Sequence, residues 1–306
     1  MRICCIINSH SGTAGKASRS QLIELFAKHG VKPEILEPKD GGSIADLAKD
    51  AISKGFEIIV AGGGDGTINA VASAMVGNKD KKLGILPLGT LNHFARDVGV
   101  PMEIEEAVKT IVAGCVRTVD VGEVNGRIFL NNSCLGLYPA MVRLRESLQK
   151  SGYRKFPALL RASLHVLVRF RRLYLELHPA EGSTLRRDTP VLFIGNNAYD
   201  TSLTQLGTRP AIDRGKLWIM MPSASTRWSL LMSVFAILAG REQASDVVTF
   251  DGTELIVASR RRRLKVAADG EVLHLRQPLN YRLRPKALRV IVPQGTIQPE
   301  IAIRTK

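Results

Sequence analysis

The chain has 306 residues and a formal net charge of +15. Its length suits two domains, and its hydrophobic share of 45% is typical of a folded globular protein. This composition excludes intrinsic disorder as the general description, and no Gly-X-Y period indicates a collagen-like chain. The apolar stretch at residues 228–240 has 13 uncharged residues. It is shorter than the ~18–20 residues that cross a bilayer, so we do not expect a protein made mainly of membrane spans.

The first third of the chain alternates strand-like and helix-like segments. Ser43 and Asp46 predict a capping box at the start of the second helix, and Gly55 predicts its end. This alternation with short connections predicts an open, mostly parallel α/β sheet. Its strands are predicted at 3–7, 32–36, 56–61 and 83–87, and its helices at 18–29, 43–54 and from the glycines at 62–66 to 75.

The pattern changes near residue 120. Asn125-Gly126 lies between strand-like runs at 119–124 and 127–130 and predicts a hairpin, because a tight two-residue turn needs positive φ angles. The pattern after residue 120 therefore predicts a β-rich domain with one or two helices. Its strands are predicted at 174–177, 191–194, 216–220, 247–250, 255–258, 264–268, 272–275 and 288–292, and its helices at 141–171 and 227–238.

The cysteines and the N-terminus both favour the cytoplasm. Cys4, Cys5, Cys115 and Cys134 show no Cys-x-x-Cys spacing, which indicates buried thiols in a reducing compartment. The apolar run at 3–7 is shorter than the ~7–15-residue core of a signal peptide.

A glycine-rich segment at residues 61–69 follows a predicted buried strand and precedes a helix. Glycines let a backbone approach a ligand closely, and a helix N-terminus offers unpaired N–H groups, so this segment predicts a phosphate site. A carboxylate beside a polyphosphate is repulsive unless a cation lies between them, so Asp65 predicts Mg²⁺. The alternative is an ordinary strand-to-helix turn in which Asp65 caps the helix.

A second loop, residues 86–96, follows the next predicted strand and should face the same crevice. Together, Gly-Gly-Asp-Gly-Thr at 63–67 and Pro-Leu-Gly-Thr-Leu-Asn at 87–92 resemble the diacylglycerol kinase catalytic family, which includes bacterial lipid kinases and sphingosine kinases. The first motif also occurs in NAD kinases, whereas the second is specific. Segments 119–122, 131–136, 269–271 and 285–293 follow the same family order. A Walker-type loop and the dinucleotide fingerprint are absent, which argues against a P-loop ATPase and an ordinary dehydrogenase.

The resemblance implies a Rossmann-like nucleotide-binding domain (1–122) and a C-terminal β-sandwich on the lipid side (123–306), with a last strand that returns toward the first domain. It implies ATP and Mg²⁺ as cofactors, Asp120 as a supporting acid, and a metal at Asp65 and, from a loose match, Asp213. The residues it assigns to the ATP site are Asn8, Ser9, His10, Gly63, Gly64, Gly66, Thr67, Asn69, Gly89, Thr90 and Asn92.

The implied reaction is attack of a lipid hydroxyl on the γ-phosphate of ATP, most simply converting diacylglycerol to phosphatidic acid. Asp65 would be catalytic through the cation, Glu271 would be the base, and Asp269 would assist it. From spacing alone, Asp269-Gly270 is also a hairpin turn, and that interpretation stays open. His93 replaces the Asp that usually follows the Asn of the second motif. A weakly active lipid-binding regulatory homologue is therefore an alternative, and an NAD kinase-like enzyme, which shares the first motif, is another.

The positive charge concentrates in two stretches. Residues 143–172 carry nine Lys or Arg and one acid interleaved with apolar residues, and Arg260 to Arg263 with Lys265 form a second cluster. They predict a lipid substrate reached from an anionic membrane surface, with the protein peripheral on its inner face; solvated charged faces are the alternative. Aromatic residues are only 5%, which disfavours nucleic acid as a partner. The sequence does not indicate an oligomeric state.

Overall fold

A computed structural model describes residues 1–8, 18–38, 42–136, 172–199, 209–222 and 247–295. The chain divides into two compact units, residues 1–119 with 286–306, and residues 120–285. Two strands cross the unit boundaries, β5 (Cys115–Val124) and β16 (Leu279–Val292). The expected assignment of nucleotide to the first part and lipid to the second, with its boundary at 122, stays a prediction.

The first unit is an α/β sheet whose central strands are buried on both faces. The runs of Ile, Val and Leu in these strands suit a parallel sheet that is covered on each side. After β5 and β16, its remaining elements are β1 (Ile3–Ile7), α1 (Arg19–Lys28), β2 (Glu34–Leu36), α2 (Ile44–Ser53), β3 (Ile58–Gly63), α3 (Asp65–Met75), β4 (Lys82–Pro87), α4 (His93–Asp97) and α5 (Ile104–Ala113).

The strand order in this unit is β2-β1-β3-β4, with parallel pairing throughout. The end of β16 lies beside β4 with Val290 opposite Leu83. The chain runs outward from β1 to β2 and then back past β1 to β3, so right-handed crossovers place α1 and α2 on opposite faces. The order reverses between β1 and β3, which is the switch point where open α/β sheets bind ligands.

One helix start differs from its predicted form. Ser43 is the N-cap of α2 but makes no side-chain cap bond, and Asp46 instead pairs with Lys49 at 3.2 Å. The predicted capping box is therefore wrong; the aspartate side chain is shorter than Glu or Gln and has a lysine one turn further on. A capping box forms at α1, between Ser18 and Gln21.

The second unit contains two antiparallel sheets. In one, the first part of β16 pairs with β13, followed by β8 and β9; in the other, the order is β12-β11-β10-β7-β14-β15. These strands are β6 (Arg127–Phe129), β7 (Asn132–Gly136), β8 (Leu173–Pro179), β9 (Leu185–Thr189), β10 (Val191–Asn196), β11 (Leu217–Pro222), β12 (Val247–Gly252), β13 (Glu254–Ser259), β14 (Arg263–Ala268) and β15 (Glu271–Arg276).

Both sheets of this unit contribute to one apolar core. Leu175 and Leu177 of β8 belong to the same buried cluster as Ile194 of β10 and Val266 of β14. Alternate residues along each strand point inward, as two packed sheets require. The predicted fold class, an open α/β sheet followed by a β-sandwich, is confirmed.

The Asn125-Gly126 hairpin is confirmed as well, with φ angles of 47° and 81° between β5 and β6. The helices predicted at 141–171 and 227–238 lie outside the described residues. Within the part of the chain that the structure describes, no helix is both long enough and apolar enough to cross a bilayer. Cys4, Cys5 and Cys134 are buried thiols, as predicted, and Cys115 is half-buried.

Candidate nucleotide and catalytic sites

Polar and glycine-rich connections follow the carboxyl ends of three neighbouring strands in the first unit. Asn8 follows β1, Gly64 follows β3, and the loop from Leu88 to Asn92 follows β4. This edge includes the switch point between β1 and β3. The fold therefore brings the two sequence motifs together at the expected ligand position.

The connection from β3 to α3 is a single residue, Gly64. Gly63 is still in the strand, and a Cβ there would lie 2.6 Å from the Cβ of Thr67, so only glycine fits. The first hydrogen bond within α3 runs from the N–H of Ile68 to the carbonyl of Gly64 at 3.0 Å. The N–H groups of residues 65–67 consequently precede the helical ladder, at the positive end of the helix dipole, which is the arrangement that binds phosphate.

The second loop is held closed by Asn92, which is 5% exposed and adopts a left-handed φ of 51°. Its Oδ1 accepts the N–H of Gly89 at 3.1 Å, and its Nδ2 donates to the carbonyls of Gly89 at 2.9 Å and Pro87 at 3.2 Å. A Cβ on Gly89 would overlap the Cα of Gly64 and lie 2.6 Å from Asn92 Oδ1. The two loops therefore touch backbone to backbone, and Asn92 shapes the loop from inside.

Asp65 links these two loops. It is the first residue of α3, whose N-cap is Gly64, so it does not cap its own helix. Its Oδ1 accepts the N–H of Phe94, at the start of α4, at 3.1 Å. A carboxylate has about four acceptor positions, and this bond uses one of them. The half-buried carboxylate thus retains acceptor capacity for a cation or water.

The other predicted nucleotide residues of this unit take different positions. Asn8 donates from Nδ2 to the hydroxyl of Thr67 at 3.2 Å, and its own N–H bonds the carbonyl of Gly62 at 2.8 Å. Thr67 is buried, whereas Gly66 and Thr90 are exposed. Asn69 is half-buried and accepts the Ser73 hydroxyl. Ser9 and His10 lie outside the described residues.

His93, the residue that departs from the family pattern, is exposed and is the first residue of α4. The neighbouring Arg96 donates from Nε to the carbonyl of Leu91 at 3.1 Å, and Leu91 itself is 55% exposed. The surface next to the glycine loops therefore combines an imidazole, a guanidinium and an apolar side chain.

In the second unit, Asp269 and Gly270 form the turn between β14 and β15. Both have positive φ, 45° and 85°, so the hairpin interpretation of this dipeptide is confirmed. The Asp269 carboxylate also accepts three backbone N–H groups, from Leu130 at 2.7 Å, Asn131 at 2.9 Å and Asn132 at 3.1 Å. This carboxylate fixes the segment 130–132 against the turn.

Glu271 follows immediately as the first residue of β15 and is exposed. It lies opposite Ala268 in the hairpin register. The turn therefore positions the exposed carboxylate of Glu271 two residues after the carboxylate of Asp269, which backbone N–H groups hold in place.

A buried polar network near this turn was not predicted. Arg209, 5% exposed, donates to the carbonyls of Leu130 at 2.6 Å and Asn196 at 3.1 Å and to Asn131 Oδ1 at 2.8 Å. Asp120, 1% exposed, accepts Asn197 Nδ2 at 3.2 Å and the N–H of Gly215 at 2.7 Å. Asp120 thus stabilises a turn from within the core. Its two hydrogen bonds give this buried carboxylate the partners that buried polar groups need.

Asp213, the second predicted metal ligand, is exposed. It precedes a turn in which the N–H groups of Arg214 and Gly215 bond Asn197 and Asp120. Among the described residues, no group of three or more His, Cys, Asp or Glu side chains converges as a metal site. A metal at Asp213 would therefore need backbone carbonyls or water as further ligands.

Comparisons with known proteins agree with these motifs. Residues 2–124 match the model of the diacylglycerol kinase catalytic domain. A protein of Pseudomonas aeruginosa named "Probable lipid kinase YegS-like" is 29% identical over 295 residues, covering 94% of this chain and 93% of that protein.

Two solved structures share the fold. A diacylglycerol kinase from Bacillus anthracis superposes with a TM-score of 0.68 at 20% identity, covering 97% of this chain and 98% of that one. An NAD kinase from Archaeoglobus fulgidus, solved in complex with ATP, is more distant, with a TM-score of 0.53 at 12% identity over 96% of this chain and 95% of that one.

Proposed function

We propose that this chain, whose residues 2–124 match the diacylglycerol kinase catalytic domain, is an ATP-dependent lipid kinase that phosphorylates diacylglycerol to phosphatidic acid. The observation that carries the proposal is the backbone contact of the two glycine loops at Gly64 and Gly89. This contact sets the open N-terminus of α3 beside the second family motif. Phosphoryl transfer depends mainly on positioning and charge stabilisation, which such a rigid loop pair can provide.

The nucleotide would bind with its phosphates against the N–H groups of residues 65–67. Gly66 supports this placement, since nothing lies within 4 Å of the position that a Cβ would take there. Asn8, which follows β1, donates a hydrogen bond to Thr67 of α3, and both would lie beneath the bound phosphates. The Asn92 hydrogen bonds would keep the second loop in place without a direct contact to ATP.

The residues at this site fit Mg²⁺. In phosphate sites, Mg²⁺ is usually held by one or two carboxylates, phosphate oxygens and water, so a single half-buried carboxylate is sufficient on the protein side. Asp65 would hold the ion, and when bound the ion would neutralise charge on the transferred phosphoryl group. Asp213 would hold a second, structural ion together with backbone oxygens.

Glu271 would accept the proton of the lipid hydroxyl as its oxygen attacks the γ-phosphorus and ADP leaves. An exposed carboxylate can reach a substrate, whereas the Asp269 carboxylate is held by three N–H donors. Asp269 would therefore act as a positioning residue for the turn that carries Glu271. This division is typical of general-base sites in which a second group orients the first.

A membrane-facing role is supported by the hairpin of β14 and β15. Arg263 lies directly opposite Arg276, and both side chains are exposed. Like charges directly opposite one another destabilise a sheet unless an anionic partner neutralises them. This exposed pair of like charges supports the proposal that the protein acts at an anionic membrane surface, on the inner face. The other basic stretch, 143–172, lies outside the described residues except for Arg172.

The proposal is tested by incubating the protein with γ-labelled ATP and a panel of diacylglycerol, sphingosine, phosphatidylglycerol and NAD, with and without Mg²⁺. We expect labelled phosphatidic acid that forms only with Mg²⁺. Labelled NADP alone would indicate the NAD kinase alternative. Vesicle binding without any labelled product would indicate a regulatory lipid-binding protein.

A further inference from the structure

A cavity of about 150 Å³ lies within the first unit, at the opposite end of β4 from the glycine loops. Met75, the last residue of α3, lines it together with Thr118 of β5. It also lies by the amino end of β4, which begins at Lys82, whereas the second glycine loop follows the carboxyl end. Six strand residues at ~3.3 Å each separate these ends by roughly 15–20 Å, so the cavity is not part of the nucleotide site.

Four cationic side chains line this cavity: Lys79, Lys81, Lys286 and Arg289. Lys81 pairs with Asp80 at 3.2 Å, and the Asp80 side chain is 75% exposed. The four cations and this carboxylate have a net charge of +3. A hydrogen bond from Lys81 lowers the pKa of Asp80, and the positive charge of Arg289 adds to that shift. Repulsion among the cations opposes their convergence, so an anion in the cavity would be stabilising.

A hydrogen bond and partial burial hold two of the cationic side chains that line the cavity in place. Arg289 donates from one terminal nitrogen to the carbonyl of Lys79 at 2.9 Å, and this bond uses one of the five N–H donors of its guanidinium. The side chain of Lys81 is only 12% exposed. Lys286 has a left-handed φ of 50°, a strained backbone state for a lysine that is typical of ligand-binding positions.

We propose that this cavity binds a phosphomonoester or inorganic phosphate dianion, at a site separate from the nucleotide loops. A planar guanidinium matches two phosphate oxygens, and ammonium groups add point charges around it. Thr118 also lines the cavity, and its side chain carries a hydroxyl, which is a neutral donor. The cavity volume is about tenfold above the ~10–15 Å³ that a single water needs, so it accommodates a tetrahedral anion.

The phosphate could be free in solution or belong to a lipid headgroup, and the experiment separates the two sources. One arm measures equilibrium dialysis of labelled inorganic phosphate and glycerol phosphate at constant ionic strength. The other measures co-flotation with phosphatidylcholine vesicles that contain or lack phosphatidic acid. Both arms use the full chain.

The test variant is Lys79→Gln with Lys286→Gln, which removes two charges from exposed side chains without changing an apolar core residue. The matched control is Lys49→Gln with Lys109→Gln, which removes the same charge from exposed positions on α2 and α5. We expect the test variant to bind phosphate about tenfold more weakly than the control, as loss of two charged contacts predicts.

A loss confined to the dialysis arm assigns the site to a free phosphate compound, and a loss confined to phosphatidic acid vesicles assigns it to a headgroup. Equal binding by the test and control variants in both arms would overturn the proposal. Undetectable binding of every probe by the wild-type chain would overturn it too.

Discussion

At the scale of single residues, Asp65 and Asp269 use their carboxylates in different ways. Asp269 accepts three backbone N–H groups from residues 130–132 and has positive φ in a turn. Among the residues that the structure describes, Asp65 accepts one N–H, from Phe94, at the edge where the two glycine loops meet. The first arrangement holds a backbone in place, and the second leaves a carboxylate able to share a cation with phosphate.

Glu271→Gln should lower kcat by roughly 10²–10⁴, since the amide cannot accept the hydroxyl proton, with little change in KM for ATP. Steady-state kinetics on diacylglycerol would measure both parameters. The matched control is Asp251→Asn, which alters an exposed carboxylate next to another glycine, at the end of β12. Equal losses in the two variants would mean that the base lies elsewhere.

His93→Asp should lower the Mg²⁺ concentration needed for half-maximal activity by several-fold, because it adds a carboxylate beside the glycine loops. The fold should tolerate the change, since an acidic residue in the first turn of a helix contributes about 0.3–1 kcal/mol. Titrating Mg²⁺ at fixed ATP would measure the effect. A large loss of activity would show instead that the imidazole has its own role in the reaction.

At the scale of elements, the strand-to-helix connection is tighter than the glycine run suggests. Gly62 and Gly63 are still strand residues paired with β1 and β4, and α3 begins at Asp65. Only Gly64 connects them. The glycines are needed for close packing against Ile7, Thr67 and the second loop, as well as for access to a ligand.

Gly66→Ala separates these two reasons for glycine. A Cβ at Gly66 meets nothing within 4 Å, so the folded chain should accept it and gain up to about 1 kcal/mol of helix stability. A triphosphate against the α3 N-terminus would meet that methyl group, so KM for ATP should rise about tenfold or more. Thermal unfolding and ATP titration would test both; unchanged ATP binding would move the phosphates away from α3.

Local sequence was sufficient to predict the parts of the site that consist of continuous motifs. The two glycine loops and the Asn125-Gly126 hairpin depend on residues close together in the chain, where turn geometry demands particular residue types. Arg209 could not be predicted in this way, because it binds carbonyls of Leu130 and Asn196 that are distant in sequence. Because every residue type has a backbone carbonyl, the amino-acid types of the residues that Arg209 binds do not identify them in the sequence.

Some elements were missed for other reasons. The strand β9 is mostly charged, with exposed Arg186, Arg187 and Asp188, so it lacks the apolar alternation that identifies strands. The helix α5 does carry a readable pattern, with Ala107, Val108 and Ile111 on its buried face. It could have been predicted from that spacing.

At the scale of the whole molecule, the two units share one long strand, β16, and each unit contains one of its ends. The first part of β16 pairs with β13 in the second unit, and Val290 pairs with Leu83 in the first. Leu288, Val290 and Ile291 are buried there. The stability of the first unit thus depends on residues about 200 positions after the glycine loops.

Ile291→Ala should cost about 2–5 kcal/mol through lost burial and a residual cavity. The loss should appear locally, as faster hydrogen exchange in β3 and β4 than in β8 of the second unit. Leu177→Ala, in the core of the second unit, is the matched control and should show the reverse pattern. Identical exchange profiles for the two variants would contradict the assignment of the β16 end to the first unit.

The central claim is that the Asp65 carboxylate acts through a cation on bound ATP, and Asp65→Asn tests it most directly. Asparagine retains the Oδ1 acceptor for Phe94 and removes only the charge, so the unfolding free energy should change by less than about 1 kcal/mol. Asp46→Asn, an exposed carboxylate on α2, serves as the control. The measurement is the initial rate of Mg²⁺-dependent phosphate transfer from ATP to diacylglycerol. We predict a loss of roughly 10²–10³ for Asp65→Asn and less than about twofold for Asp46→Asn; a folded Asp65→Asn variant with the wild-type rate and Mg²⁺ dependence would contradict the account.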